Sequence, residues 1–320
     1  MITTKTFKNV CMLGTAALFA TASGVTAAAD PASCRMVRFA DVGWTDIAAT
    51  TAVATTVLEG LGYKPTNTIA SVPITFSGIK KKNIDVFLGY WNPSMTPMIE
   101  PFLKDGSIKV LEPGNLTGAK YTLAVPAYLA EAGLKDFSDI AKFRNELGGK
   151  IYGIEPGNDG NALIQKMIEK NEMGLGGFKL VESSEAGMLV EVQRAVRQKA
   201  PIVFLGWEPH PMNEKFKLAY LTGGDKYFGP NLGGATIYTA MWPGYADKCP
   251  NAAKLVSQLK FSLPMENQIM GLILDRVDPV AAAKDWLRKN PNVLDSWLTG
   301  VTTFEGGDGL PAVKSHLGVL

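Results

Sequence analysis

Residues 86–93 read VFLGYWNP and residues 203–211 read VFLGWEPHP. Each is a short run of Val, Phe and Leu closed off by glycine, tryptophan and proline, the signature of a buried strand that stops abruptly at its carboxyl end. A third stretch, RFADVGWTD at 38–46, ends in the same way at Trp44. Further strand-like runs are TNTIASV (66–72), YTLAVP (121–126), KIYGIEPG (150–157), FKLVES (178–183), FKLAYL (216–221) and ATIYTAMW (235–242). Helical patterns separate several of them. The stretch 45–62 starts on Thr45 and Asp46 as candidate caps and stops at Gly60 and Gly62. In 94–106, Met95, Met98, Ile99, Phe102 and Leu103 recur as one buried face, with Gly106 as the stop.

Strand, helix and strand in repetition predict an α/β fold with a mostly parallel sheet. The near-repeat of VFLG, Trp and Pro suggests two similar units. Beyond residue 250 the pattern is helical only, and such a tail makes sense if the chain returns to pack on the first unit. Nothing resembles a low-complexity linker, so strands must carry the chain between units.

At 320 residues, 46% hydrophobic and 19% charged, the chain can bury two cores of ordinary size. Its first 29 residues read differently. Lys5 and Lys8 precede an Ala/Gly/Thr-rich apolar run, too short to span a bilayer comfortably, and Ala27-Ala28-Ala29 stand before Asp30. This is an export signal cut near Asp30. Removing its two lysines takes the formal charge from +2 to 0, which leaves no general field for nucleic acid or an anionic membrane. Cys34 and Cys249 remain after Cys11 departs with the signal, and in an exported protein an even pair reads as one disulfide, the alternative being two buried thiols. Cys34 follows DPAS and lacks a lipidation context, so no membrane insertion is expected of the mature chain.

Signs of catalysis are few. The only histidines are His210 and His316, neither at metal-ligand spacing to a second ligand. No Gly-x-Ser-x-Gly elbow, Walker loop or complete Gly-x-Gly-x-x-Gly is present, so neither metal nor cofactor is expected. His210 reads as a polar residue at a strand exit. In EPGNDGN (155–161), Asn158 and Asp159 read as a helix N-cap that can also touch a ligand.

The tryptophans carry the functional reading. Ligands of open α/β sheets sit beyond the carboxyl ends of the strands, which is where Trp44, Trp91 and Trp207 fall. Packing under loops is the alternative for any one of them. Aromatic faces converging on one crevice hold a quaternary ammonium, which has no N–H to donate. Four desolvated faces at ~2 kcal/mol each sum to roughly 8 kcal/mol, near micromolar affinity before association costs. Asp46, two residues past Trp44, can supply the negative partner or cap the following helix. Sugars also use tryptophan faces, but need a denser set of polar side chains than these strand ends offer.

Those segments resemble a known family. Residues 39–65, 85–95, 153–161, 203–213 and 282–291 look like the substrate-binding proteins of bacterial ABC importers for choline and glycine betaine, with the choline-binding members nearest. The resemblance runs over essentially the whole mature chain. It implies a two-lobed, type II periplasmic binding protein: each lobe a central sheet flanked by helices, with two strand crossovers as hinge. Lobe one would comprise 30–120 and 236–320, and lobe two 121–235. The implied site is an aromatic box of Trp44, Trp91, Tyr121 and Trp207, with Asp46 and Asn158 as polar contacts. The residues alone do not separate Tyr121 from Tyr90, Tyr152 or Tyr245. The implied role is a monomeric periplasmic receptor that hands choline to a membrane permease and does no chemistry. Glycine betaine or proline betaine is the alternative ligand, and acetylcholine a weaker one. A secreted enzyme and a sensor are the readings from other classes.

Overall fold

In the computed structural model, ten strands form one continuous sheet: β1 (Met36–Asp41), β2 (Lys64–Ile69), β3 (Val86–Asn92), β4 (Lys109–Val110), β5 (Leu116–Pro126), β6 (Lys150–Tyr152), β7 (Lys179–Val181), β8 (Phe204–Glu208), β9 (Leu218–Tyr220) and β10 (Gly234–Met241). The structure describes residues 1–3 and 30–319. The export signal expected over residues 1–29 therefore lies, beyond its first three residues, outside the described residues.

The order along the sheet is β2-β1-β3-β10-β5-β8-β6-β7, with β4 on β10 and β9 on β5. The expectation of a mostly parallel sheet needs correction, because the sheet is mixed. Parallel pairing joins β1 to β2 and β3, and β6 to β7 and β8. The centre is antiparallel: β10 pairs with β3 and β5, and β5 with β8. Periodicity identifies a strand but carries no sign of its direction, and β5 and β10 are the strands that cross between the two flanks. Their split pairing makes the crossing visible. The start of β5 pairs with β10 at Leu116, Ala119 and Lys120, and its later part pairs with β8 from Lys120 to Ala124.

Strand β3 is buried on both faces through Trp91, as its unbroken apolar run requires. Its glycine eases packing: a Cβ at Gly89 would stand 2.3 Å from Ile47 Cδ1 and push that side chain aside on the helix that lies on the strand. That helix, α1 (Thr45–Gly60), is rich in Ala and Thr and buried almost all round, as expected for a helix covered on every side. The sheet covers one side. The helices Leu263–Leu274, Pro279–Lys289 and Gly309–Leu317 cover the other, so the helical tail does return to the first unit. In the Thr96–Lys104 helix Met95 and Ile99 are fully buried, but Leu103, expected on that face, is 40% exposed at the helix end.

Asp30 is tied to this layer. Asp30 accepts from the backbone N–H groups of Asn251 (2.8 Å) and Ala252 (2.9 Å) and from the Tyr63 hydroxyl (2.9 Å), capping the Pro250–Gln258 helix from outside. Cys34 and Cys249 form a disulfide with a sequence separation of 215. For a loop of that length the chain-entropy model allows a stabilisation of roughly 5 kcal/mol at most. Replacing both cysteines by serine should lower the unfolding free energy by about 2–5 kcal/mol in urea melts. Ligand affinity should hold, since Cys34 lies at the opposite end of β1 from Trp44; an unchanged midpoint would contradict the structural role given to the bridge.

Candidate functional site

Four aromatic rings, one carboxyl and one aliphatic side chain line a small cavity: Trp44, Trp91, Tyr121, Trp207, Asp46 and Ile154. Each aromatic comes from the sheet or its edge. Trp91 is on β3 opposite Ile237 of β10, and Tyr121 is on β5 directly opposite Trp207 of β8. The two crossing strands thus bring side chains of both flanks to one place. Tyr121 stands between its neighbours, with ring centroids 5.9 Å from Trp91 and 6.3 Å from Trp207 in edge-on arrangements. Trp44 is the N-cap residue of α1. The remaining tryptophans lie elsewhere: Trp242 donates to Asp85 (3.0 Å), Trp286 to Gln268 (2.7 Å), and Trp297 packs on Phe261.

Asp46, in the first turn of α1, is 2% exposed, and its Oδ1 has no hydrogen-bond partner among the described residues. Burial pushes its carboxyl up to about 8, helped by the charges of Glu185 and Asp41. Behind it, burial and the nearby Asp46 push Glu266 well above the usual carboxylate range. Two more acids follow β6, Glu155 in the turn and Asp159 at the start of the next helix. Burial pushes Glu155 up to about 7, with Asp159 and Glu185 adding to it, and pushes Asp159 up to about 6.

Asn158 does not line the cavity. Its Oδ1 accepts from Asn161 N (3.0 Å), capping the Asp159–Glu169 helix, and from the Tyr121 hydroxyl (2.9 Å). It stands one hydrogen bond behind the aromatic wall and orients Tyr121, whose hydroxyl burial keeps neutral. Tyr90, Tyr152 and Tyr245 are outside the cavity lining.

Three residues that sequence reasoning did not place at the site sit directly behind it. Glu155 accepts from the Trp44 indole N–H (2.7 Å), Glu185 accepts from Thr45 N (2.8 Å) and its hydroxyl, and His210 Nε2 faces Glu185 at 3.1 Å. His210 stands two residues past β8, at the strand exit as expected, and at 1% exposure it is also an interior hydrogen-bonding group. Thr45 and Asp46, expected as caps, do not cap α1; Glu185 does, from 140 residues away. A separation of that size leaves no local signal.

Residues 35–289 match the model of the substrate-binding domain of ABC-type glycine betaine transport systems. The chain belongs to this family. Among solved structures, an ABC-transporter choline-binding protein in complex with choline is 58% identical, with a TM-score of 0.88 over 90% of this chain and 100% of that one. An unliganded, semi-closed form of such a choline-binding protein is 59% identical, with a TM-score of 0.82 over 89% and 99%. The lactococcal OpuAC protein, closed on glycine betaine, is 25% identical, with a TM-score of 0.75 over 82% and 99%. The fold is therefore the two-lobed one of periplasmic binding proteins.

The acids predict proton linkage. The carboxyl of Asp46 in the cavity wall and those of Glu155 and Asp159 near it are pushed up to about 8, 7 and 6, and a cation in the cavity favours their ionised forms. The liganded state then binds fewer protons than the empty one, so affinity rises with pH from about 6 and levels off above about 8. Calorimetry with tetramethylammonium in buffers of different ionisation enthalpy should show proton release near neutrality. An affinity independent of pH over that range would contradict the assignment.

Proposed function

We propose that this protein is the receptor of an ABC importer for choline: it captures the cation between its lobes, delivers it to the membrane permease, and does no chemistry on it. The observation that carries the reading is Asp46, a buried carboxyl with an unpartnered oxygen on a residue that lines a pocket walled by four aromatic rings. The rings suit a trimethylammonium head, which offers no N–H, and the carboxylate supplies the opposite charge. Trp91 Nε1 is likewise buried without a partner among the described residues, so two residues that line the pocket carry an unmatched donor and an unmatched acceptor. A hydroxyl can serve both.

The choline complex of the relative and the family description support this ligand class. Glycine betaine carries the same head, and the liganded OpuAC structure keeps it as the second reading. Its carboxylate would enter a cavity lined by Asp46, so the zwitterion is disfavoured by repulsion. Acetylcholine keeps the cation but enlarges the tail, and should bind more weakly. With the signal removed near Asp30, the mature chain would work as a periplasmic monomer. Lobe one is then 30–120 with 236–320 and lobe two 121–235, the crossings in β5 and β10 serving as hinge. Among the described residues no helix is long and apolar enough to cross a membrane.

Calorimetry with both ligands tests the reading. Choline should bind at least about tenfold more tightly than glycine betaine, ~1.4 kcal/mol. Asp46→Asn should weaken choline and narrow that gap. Tighter binding of glycine betaine by the parent protein would overturn the ligand and leave the aromatic box standing.

A further inference from the structure

Two glutamates close to the cavity do not line it. Glu155 follows β6 and Glu185 opens the helix after β7, while the residues they hold, Trp44 and Thr45, follow β1. Four strands, β3, β10, β5 and β8, separate β1 from β6 in the sheet. These hydrogen bonds therefore do not follow the sheet; they span the cleft from one flank to the other. We infer that Glu155 and Glu185 form the latch that holds the lobes shut and so sets how slowly the ligand leaves. The inference rests on the receptor reading above and adds to it two residues that act without touching the ligand.

The geometry is that of a built contact. Glu185 Oε2 accepts from Thr45 N at 2.8 Å, one of the donors that a helix N-terminus leaves without an internal partner. Glu185 Oε1 accepts from the Thr45 hydroxyl and faces His210 Nε2 at 3.1 Å. The other ring nitrogen, Nδ1, accepts from Met212 N at 2.9 Å, so the imidazole proton sits on Nε2 and points at Glu185. The same ring stands against Trp207, centroids 4.8 Å apart. One line of contacts thus runs from Trp207 in one lobe through His210 and Glu185 to Thr45 in the other, between Trp44 and Asp46. Glu155 adds the bond to the Trp44 indole at 2.7 Å, which fixes a ring of the box only when the lobes meet.

Closing also has an electrostatic cost that ties it to ligand charge. It brings the carboxylate of Glu185 near Asp46 and Glu155, and each is harder to ionise for it. A cation in the cavity offsets that repulsion; an empty or neutral cavity does not. Contacts that form only in the closed state act mainly on dissociation, because ligand enters while the cleft is open.

Stopped-flow tryptophan fluorescence with choline separates the two rates. Glu185→Ala should speed dissociation by roughly 10- to 100-fold and change association by less than about threefold. Glu185→Gln, which keeps one acceptor for Thr45, should fall between it and the parent. Thr45→Val removes a donor from the opposite lobe and should also speed dissociation, with no additive effect in the double variant. A purely structural role would lower the melting temperature without splitting the rates or showing this order. Parental dissociation from Glu185→Ala, or a loss confined to association, would overturn the latch while leaving the receptor reading intact. A parent protein that fails to bind choline would overturn both.

Discussion

Asp46 is a carboxyl buried at the start of a helix with an oxygen that no donor among the described residues reaches, and the site is arranged around that fact. Taking an isolated carboxylate out of water costs several kcal/mol, so the group holds a proton or acquires a cationic partner. Nearby Glu185, Asp41 and Glu266 make the charge harder to bear, and no lysine or arginine lines the cavity to relieve it. Instead the wall is aromatic. Ring faces attract a cation without offering it an anion's worth of desolvated charge, and they stay apolar when the cavity is empty. A hydrogen-bonding cation such as an ammonium would leave its N–H groups unmatched against those faces; a quaternary ammonium has none to match.

The fold supplies this wall through its antiparallel centre. Two strands that pass between the flanks put Tyr121 opposite Trp207 and Trp91 opposite Ile237. Trp44 comes from the end of a strand in the outer, parallel part of the same sheet. A side chain at the carboxyl end of a strand is held by the whole sheet behind it, so the rings converge with little freedom to collapse on each other. The hydrogen bond from Tyr121 to Asn158 removes most of what remains.

How much of this could be read from residues alone depended on range. Strand runs such as 86–91 and 203–207 were legible because a run buried on both faces has to be apolar throughout. The two-residue β4 was not, since Lys109 and Val110 carry no pattern at that length. The tryptophans were legible as a site because chain order puts all three at strand ends. Strand direction was not, and the parallel expectation failed at β5 and β10, where the chain changes lobe. Glu155, Glu185 and His210 were missed for a different reason. Their partners lie across the cleft, and a turn acid, a helix-start acid and a strand-exit histidine each have an ordinary local explanation. Tyr121 lay between these cases: the residues alone left it level with other tyrosines, the family resemblance singled it out, and its register against Trp207 puts it in the cavity wall.

The central claim is that charge, not shape, brings the ligand into this cavity. The neutral carbon analogue of choline, with a tert-butyl group in place of the trimethylammonium head, keeps the size and the hydroxyl and removes the charge alone. Calorimetry against choline at neutral pH should find the analogue weaker by two orders of magnitude or more, the loss expected when several desolvated cation–π contacts of ~2 kcal/mol each are removed. Binding of the neutral analogue within about threefold of choline, a difference of under ~1 kcal/mol, would contradict the account.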